Sequence, residues 1–304
     1  MSSIEACIAS CLQEKNQNVE VIVLDNQSND GTFSVALKYE APNVRILQNN
    51  ENLGAYGNHN RIMKLAEGEY IKFLHSDDTL NPGAIGRFLN EIKKHPEVDF
   101  FAFNTCFKKK SGAIINIDNY KYDIFLKDMA PENFVKFGTF LGTPSMTLFK
   151  KSLISKIGEF DAAMEPAADA EFWDRTLQNA LIKLCAHYVV TITDDVVTLA
   201  QSYRLNFLFF TSLLRRLKLL EKNCTSPLFN YRISEFKLRT LFNHLYLSVK
   251  LGIVNLKFGY MLLVINEIVQ TLRAHPVSTF KLFTPKVLSL NKGWFDELAK
   301  YSNR

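Results

Sequence analysis

The chain has 304 residues, 47% of them hydrophobic and 22% charged. Those fractions exclude a disordered chain and leave room for a large domain with its own core. The net charge of +5 is unevenly spread: residues 205–304 hold 15 Lys or Arg against 5 Asp or Glu, which leaves residues 1–204 net acidic. That split predicts an acidic domain over 1–204 and a basic, aromatic-rich helical region over 205–304. The basic part suits an anionic membrane surface or a partner. No recognised nucleic-acid module accompanies the charge, so nucleic acid is not expected. Five cysteines at irregular spacings without a secretory leader fit reduced thiols in a cytoplasmic protein. Cys7 and Cys11 lie one helical turn apart and read as helix packing, because no third ligand sits near them in sequence. The most apolar stretch, 245–269, is interrupted by Lys250, Lys257 and Glu267, whereas a membrane span wants about 20 nearly uncharged residues.

In chain order, Ile4, Ile8 and Cys11 repeat at helical spacing. Residues 19–24 form a β-branched run apolar enough for a strand covered on both faces. It ends in a cluster of turn formers, residues 25–32. Helical character resumes at 33–39, and 44–47 is a second strand. A loop at Asn52-Leu53-Gly54 leads into a helix over 56–66, with Gly68 as its stop. Residues 70–74 form a third strand running into His75-Ser76-Asp77-Asp78. Asn81-Pro82 reads as an N-cap with proline at the first helical position. Ile85, Phe88, Leu89 and Ile92 then give a helix one apolar face. A hairpin over 100–107 and 113–117 follows, then a helix at 132–140, a strand at 145–149 and a segment at 153–157. A helix over 168–179 and a mostly extended stretch over 182–199 complete the acidic part.

Alternating strands and helices, with ligand-type residues at the carboxyl ends of strands, predict an α/β fold. Its doubly wound, mainly parallel sheet would carry the site along the strand ends. In such a loop Asp77 and Asp78 can hold one Mg²⁺ or Mn²⁺. An Asp-Asp pair by itself is more often a solvated loop or a helix cap than a metal site.

The order of the motifs resembles the family 2 glycosyltransferases. Their Asp-(Asp/Asn)-x-Ser-x-Asp-Gly-Thr loop is similar to Asp25-Asn26-Gln27-Ser28-Asn29-Asp30-Gly31-Thr32. Their Asn-x-Gly segment is similar to Asn52-Leu53-Gly54. Their Gly-Glu-Tyr-Ile-x-Phe-Leu-x-x-Asp-Asp strand resembles residues 68–78. A Gly-x-Phe-Asp segment is matched by Gly158-Glu159-Phe160-Asp161, and the helix start Asp-x-Glu-x-Trp by Asp169-Ala170-Glu171-Phe172-Trp173. The resemblance covers about residues 1–200.

It implies a GT-A fold and inverting transfer of a sugar from a UDP or dTDP donor. The acceptor would be a glycan or lipid-linked hydroxyl in polysaccharide biosynthesis, with the enzyme at the inner face of the membrane. It also implies roles. Asp25 would contact the base of the nucleotide, Asp77 the ribose, and Asp78 the metal. Asn60 and Trp173 would belong to the substrate site, and Asp169 would be the general base. Read from the residues alone, Asp169 is an N-cap before it is a base, Glu171 is a rival base, and Trp173 is a core residue.

Three features depart from the pattern. His59 falls where many members have arginine. His75 replaces the first acid of Asp-x-Asp-Asp. Members also open with an apolar strand ending in Pro-(Thr/Ala)-(Tyr/Phe)-Asn, whereas Met1 leads straight into the first helix. Omitting a central strand predicts unpaired backbone groups and an open groove. The competing expectation is therefore a truncated, non-catalytic relative that binds membrane or a partner. Residues 205–220 place Phe207, Leu208, Phe209, Phe210, Leu213 and Leu214 beside Arg215, Arg216 and Lys218. That is a helix suited either to anionic lipid or to packing on the domain.

Overall fold

The computed structural model describes residues 3–14, 18–129, 140–193, 212, 215–220 and 222. The helix expected at 132–140 and most of the basic region lie outside them. The alternation begins with α1 (Ser3–Cys11), β1 (Val21–Asp25), α2 (Thr32–Ala36), β2 (Val44–Gln48), α3 (Gly54–Leu65) and β3 (Tyr70–Ile71). Then come β4 (Thr79–Leu80), α4 (Ala84–Lys94), β5 (Phe100–Lys108), β6 (Ile114–Ile117) and β7 (Ile124–Lys127). The last described elements in this series are β8 (Thr147–Lys150), α5 (Ser152–Ile157), α6 (Ala168–Asn179) and β9 (Leu181–Thr193).

The described strands form two sheets. β1 and β2 pair in parallel, from Val21 opposite Val44 to Asp25 opposite Gln48. The larger sheet has the order β3-β8-β5-β9-β4, with β6 on β5 and β7 on β9. Its β5·β9 ladder is parallel; the ladders of β3, β4, β6 and β7, and that between β5 and β8, are antiparallel.

The sheet is covered on both faces. Phe100, Phe101, Ala102 and Phe103 of β5 are fully buried. Because successive side chains alternate, Phe100 and Ala102 pack with Phe149, Phe172 and Trp173. Phe101 and Phe103 pack with Phe88 and Leu148. A strand buried on both faces reads as a continuous apolar run, as this one does.

Two local expectations are corrected. Helix α4 begins at Ala84 after Gly83 in the left-handed region, φ 77°. Asn81 is therefore no N-cap: its side chain accepts from Thr191 Oγ1 at 2.6 Å and fastens β4 to β9. Likewise α3 ends before Ala66, whose backbone is extended. Gly68 instead donates its N–H to Glu20 at 2.9 Å.

The described part of the basic region packs on the domain. Leu217 and Leu220 are buried in the same cluster as Phe100 and Trp173. Arg216 makes a two-pronged ion pair with buried Asp174, at 2.6 and 2.7 Å. Arg215 reaches Asp161 at 3.2 Å. Among the described residues no helix is long and apolar enough to cross a membrane. Cys7, Cys11, Cys106 and Cys185 are free thiols, and burial holds Cys7, Cys11 and Cys185 well above the ordinary thiol range.

Candidate active site

A cavity of about 1550 Å³ opens beside β1 and β3, and Asp25, Asp77, Asp78 and Asp169 all line it. They arrive on three pieces of local structure, Asp77 and Asp78 sharing the loop between β3 and β4. Asp25 is the last residue of β1 and is buried. Burial pulls its carboxyl up. Hydrogen bonds from Ser28 and Gln48 and from the Ser28 and Gln27 backbone outweigh that and hold it below the usual range. The Ser28 N–H and Gln48 Nε2 both donate to Oδ2 at 2.9 Å. Asp25 is thus a fixed carboxylate at the cavity wall.

Asn26 joins the two loops at the strand ends. Its Nδ2 donates to Asn52 Oδ1 at 2.9 Å and to the Gly54 carbonyl at 3.0 Å. Its Oδ1 accepts from Asn49 Nδ2 at 2.8 Å and from the Leu53 N–H at 2.9 Å. Asn49 Nδ2 also reaches Asn58 Oδ1 at 2.8 Å, and Asn58 Nδ2 donates to the Leu24 carbonyl at 3.1 Å. Sequence reasoning singled out neither Asn26, Asn49 nor Asn58. An asparagine beside an Asp-rich turn was the available signal, but its partners come from another loop.

His75, Asp77 and Asp78 bring one ligand atom each to within 4.8 Å of one another. Two carboxylates and an imidazole fit a divalent cation, with the nitrogen favouring Mn²⁺ over Mg²⁺. Burial is the largest influence on Asp78, assisted by neighbouring Asp77, and its carboxyl is raised to about 6. Lys72 on the same strand end is half-buried; desolvation lowers it to about 8 against the pull of Asp78. Its Nζ donates to the Phe73 and Ser145 carbonyls, both at 2.5 Å.

Asp169 sits in the first turn of α6, yet Ala167 occupies the N-cap position and makes no side-chain cap bond. The Asp169 carboxylate accepts from the Ala170 N–H at 2.7 Å. Burial pushes it up; the Ala170 N–H, Arg216 and Tyr56 push it down, and burial prevails. A half-buried carboxyl raised in this way on a cavity wall is suited to accept a proton. The rival, Glu171, is bound in two prongs to Arg175, both at 2.7 Å.

Asn60 and Trp173 are not among the residues lining the cavity. Both functions of the Asn60 amide engage Phe160: Nδ2 donates to its carbonyl at 2.8 Å and Oδ1 accepts its N–H at 3.0 Å. Asn60 is a strut between α3 and the Gly158–Asp161 segment. Trp173 is buried, and its Nε1 donates to the Gly142 carbonyl at 2.9 Å. His59 does line the cavity. Its Nδ1 lies 2.7 Å from the Ala55 carbonyl, which can only accept, so the proton belongs on Nδ1. Nε2 is buried without a hydrogen-bond partner. Burial and His75 lower this imidazole to about 4, so it is neutral at physiological pH.

Asp25 and the Asp77–Asp78 pair at strand ends and Asp169 at a helix start, meeting over one cavity in this α/β framework, define the GT-A class of nucleotide-sugar transferase folds. The chain belongs to glycosyl transferase family 2, whose family model matches residues 2–158.

Escherichia coli WfaP, a UDP-Glc:α-D-GlcNAc-diphosphoundecaprenol β-1,3-glucosyltransferase, is 30% identical over 115 residues, covering 38% of this chain and 45% of its own. A Campylobacter jejuni GalNAc(5)-diNAcBac-PP-undecaprenol β-1,3-glucosyltransferase is 32% identical over 112 residues, covering 36% of this chain and 35% of its own. The match thus spans less than half the length of either relative. The crystal structure of S. aureus TarS 1-349 in complex with UDP-GlcNAc superposes with a TM-score of 0.64 at 19% identity. It covers 90% of this chain and 78% of that one, and the likeness is one of fold.

Proposed function

We propose that this chain is an inverting glycosyltransferase that moves a sugar from a UDP or dTDP donor to a hydroxyl of a lipid-linked glycan. The observation that carries the reading is the meeting of Asp25, Asp77, Asp78 and Asp169 on one cavity. The lipid-linked acceptors of the two relatives support the acceptor class.

Asp25, fixed as a carboxylate, accepts a hydrogen bond from the nucleobase, and Asp77 from the ribose. Asp78, with Asp77 and His75, would hold the divalent cation, which when bound supplies Lewis-acid neutralisation of the leaving diphosphate. Asp169 accepts the proton of the acceptor hydroxyl. The acceptor oxygen bonds to the anomeric carbon from the face opposite the diphosphate, and the bond from that carbon to the phosphate oxygen breaks. The single displacement inverts the configuration, and the electron pair leaves on the nucleoside diphosphate.

The test is Asp169→Asn. It retains donor binding and loses transfer, seen as unchanged UDP affinity with kcat lowered by about 10²–10⁴-fold, the range of a positioned general base. Unchanged transfer would remove Asp169 from the reaction.

A second reading, a non-catalytic binding relative, is favoured by the one-sided pairing of β1 and β3 among the described residues. Metal-stimulated release of UDP from UDP-sugars separates the two, because only the transferase shows it.

A further inference from the structure

β6 is a strand with neither face covered. Antiparallel strands at a domain surface ordinarily alternate buried and exposed residues, yet Ile114, Ile115 and Asn116 are all exposed and Ile117 is half-buried. Ile114 is 60% exposed, the most of any large hydrophobic side chain among the described residues, and Ile115 is 36% exposed. β6 pairs with β5 alone, Ile114 opposite Lys108 and Ile115 opposite Phe107. Successive residues of a strand point to opposite faces, so an isoleucine stands in solvent on each side of the hairpin.

The turn that joins β5 to β6 is well defined. The Gly112 N–H donates to the Lys109 carbonyl at 2.8 Å, and the Lys109 N–H donates to the Ala113 carbonyl at 2.9 Å. Gly112 takes the left-handed backbone that such a turn requires, φ 82°. The tip therefore holds Lys108, Lys109 and Lys110 in fixed positions, all exposed. Residues 107–117 contain three lysines and no acid, within a domain that is net acidic. The base of the hairpin is part of the cavity wall: Phe107 pairs with Ile192 of β9, and both line the cavity together with Asp78.

We propose that the β5–β6 hairpin is a membrane-docking element that dips its tip into the headgroup layer of an anionic bilayer. Apolar side chains on both faces favour lipid, which surrounds an inserted tip, over a protein partner, which would cover one face. The lysines beside them complement phosphate-bearing headgroups in charge, and they repel the like-charged hairpin of a second copy. The outer edge of β6, unpaired among the described residues, stays in the hydrated headgroup layer, where water satisfies its backbone groups; the hydrocarbon core would not. Because β5 ends in the cavity wall, docking brings the cavity to the bilayer surface. The inference is independent of sugar transfer, because vesicle binding is read without donor, acceptor or metal.

The experiment measures flotation of the full chain with vesicles of phosphatidylcholine alone and of an equal mixture with phosphatidylglycerol. The native chain prefers the mixed vesicles, and salt weakens its binding. Replacing Lys108, Lys109 and Lys110 together by serine lowers the partition coefficient about a hundredfold, from roughly fivefold for each lysine near an anionic surface. Ile114→Ser combined with Ile115→Ser lowers it about tenfold or more. Both variants keep the native Tm, because the positions are exposed. A control with Lys38→Ser, Lys93→Ser and Lys94→Ser removes the same charge from exposed lysines outside the hairpin and retains most of the binding. Ile114→Trp adds tryptophan fluorescence that brominated acyl chains quench. The proposal is overturned if the native chain floats equally with both vesicle types or with neither, if the hairpin variants bind as the native chain does, or if the control weakens binding as much as the hairpin lysines. It is also overturned if the added tryptophan escapes quenching, or if the isoleucine variant changes the oligomeric state in sedimentation while vesicle binding stays intact.

Discussion

Replacing Arg216 by methionine tests how the basic region is tied to the catalytic domain. The Arg216–Asp174 pair is at 2.6 and 2.7 Å, and the two side chains are only 11% and 7% exposed. Truncating one partner of a buried pair leaves an uncompensated charge, at a cost of about 3–5 kcal/mol. For a domain of this size that lowers Tm by roughly 6–20 °C. The loss has a pH signature. Burial already raises Asp174 despite Arg216, and the variant removes the opposing cation, so the folded-state pKa lies further above the unfolded one. The native state then binds more protons than the unfolded state, and stability falls as pH rises through that window. The deficit is largest at pH 8 and shrinks as pH falls toward about 4. Urea titrations at pH 8 and pH 5, with Asp174→Leu and the double variant completing a cycle, measure it. A deficit below about 1 kcal/mol, or one equal at both pH values, would refute the reasoning. The same substitution removes a cation that lowers Asp169, so the acidic limb of the transfer pH profile moves upward.

Two further predictions concern the strand-end loops. Asn26→Ala removes four hydrogen bonds between them. It costs about 1–3 kcal/mol and weakens UDP binding several-fold, measured by denaturation and calorimetry; unchanged affinity would show that the loops hold their places without it. Gly54 has φ 72°, and a Cβ there would lie 3.1 Å from Glu165 Oε2. Gly54→Ala therefore destabilises by about 1 kcal/mol or more, and a neutral result in thermal melts would contradict that.

The periodic elements were readable from sequence. α6 spans the expected 168–179 because its apolar spacing is helical throughout, and β5 follows from its uninterrupted aromatic run. β4 and β7 left no comparable trace. β4 has two residues and exists through pairing with β9, more than 100 residues later. β7 is likewise defined by its ladder to β9. Lys183 stands in an otherwise apolar strand, and its ion pair with Glu91 at 2.5 Å spans 92 residues. In the site, the convergence of the four acids on one cavity was legible because each belongs to a local motif. The partners of Asn60 and Glu171 were not, since Phe160 and Arg175 reach them through packing that no motif encodes.

The central claim is that one ring of acids holds a nucleotide diphosphate together with a divalent cation. Calorimetric titration of UDP with and without Mn²⁺, on the native chain and on Asp78→Asn, tests it most directly. The account predicts Mn²⁺-dependent tightening of tenfold or more in the native chain, lost in Asp78→Asn with Tm undiminished. Equal UDP affinity with and without Mn²⁺, or full tightening in the variant, would contradict it.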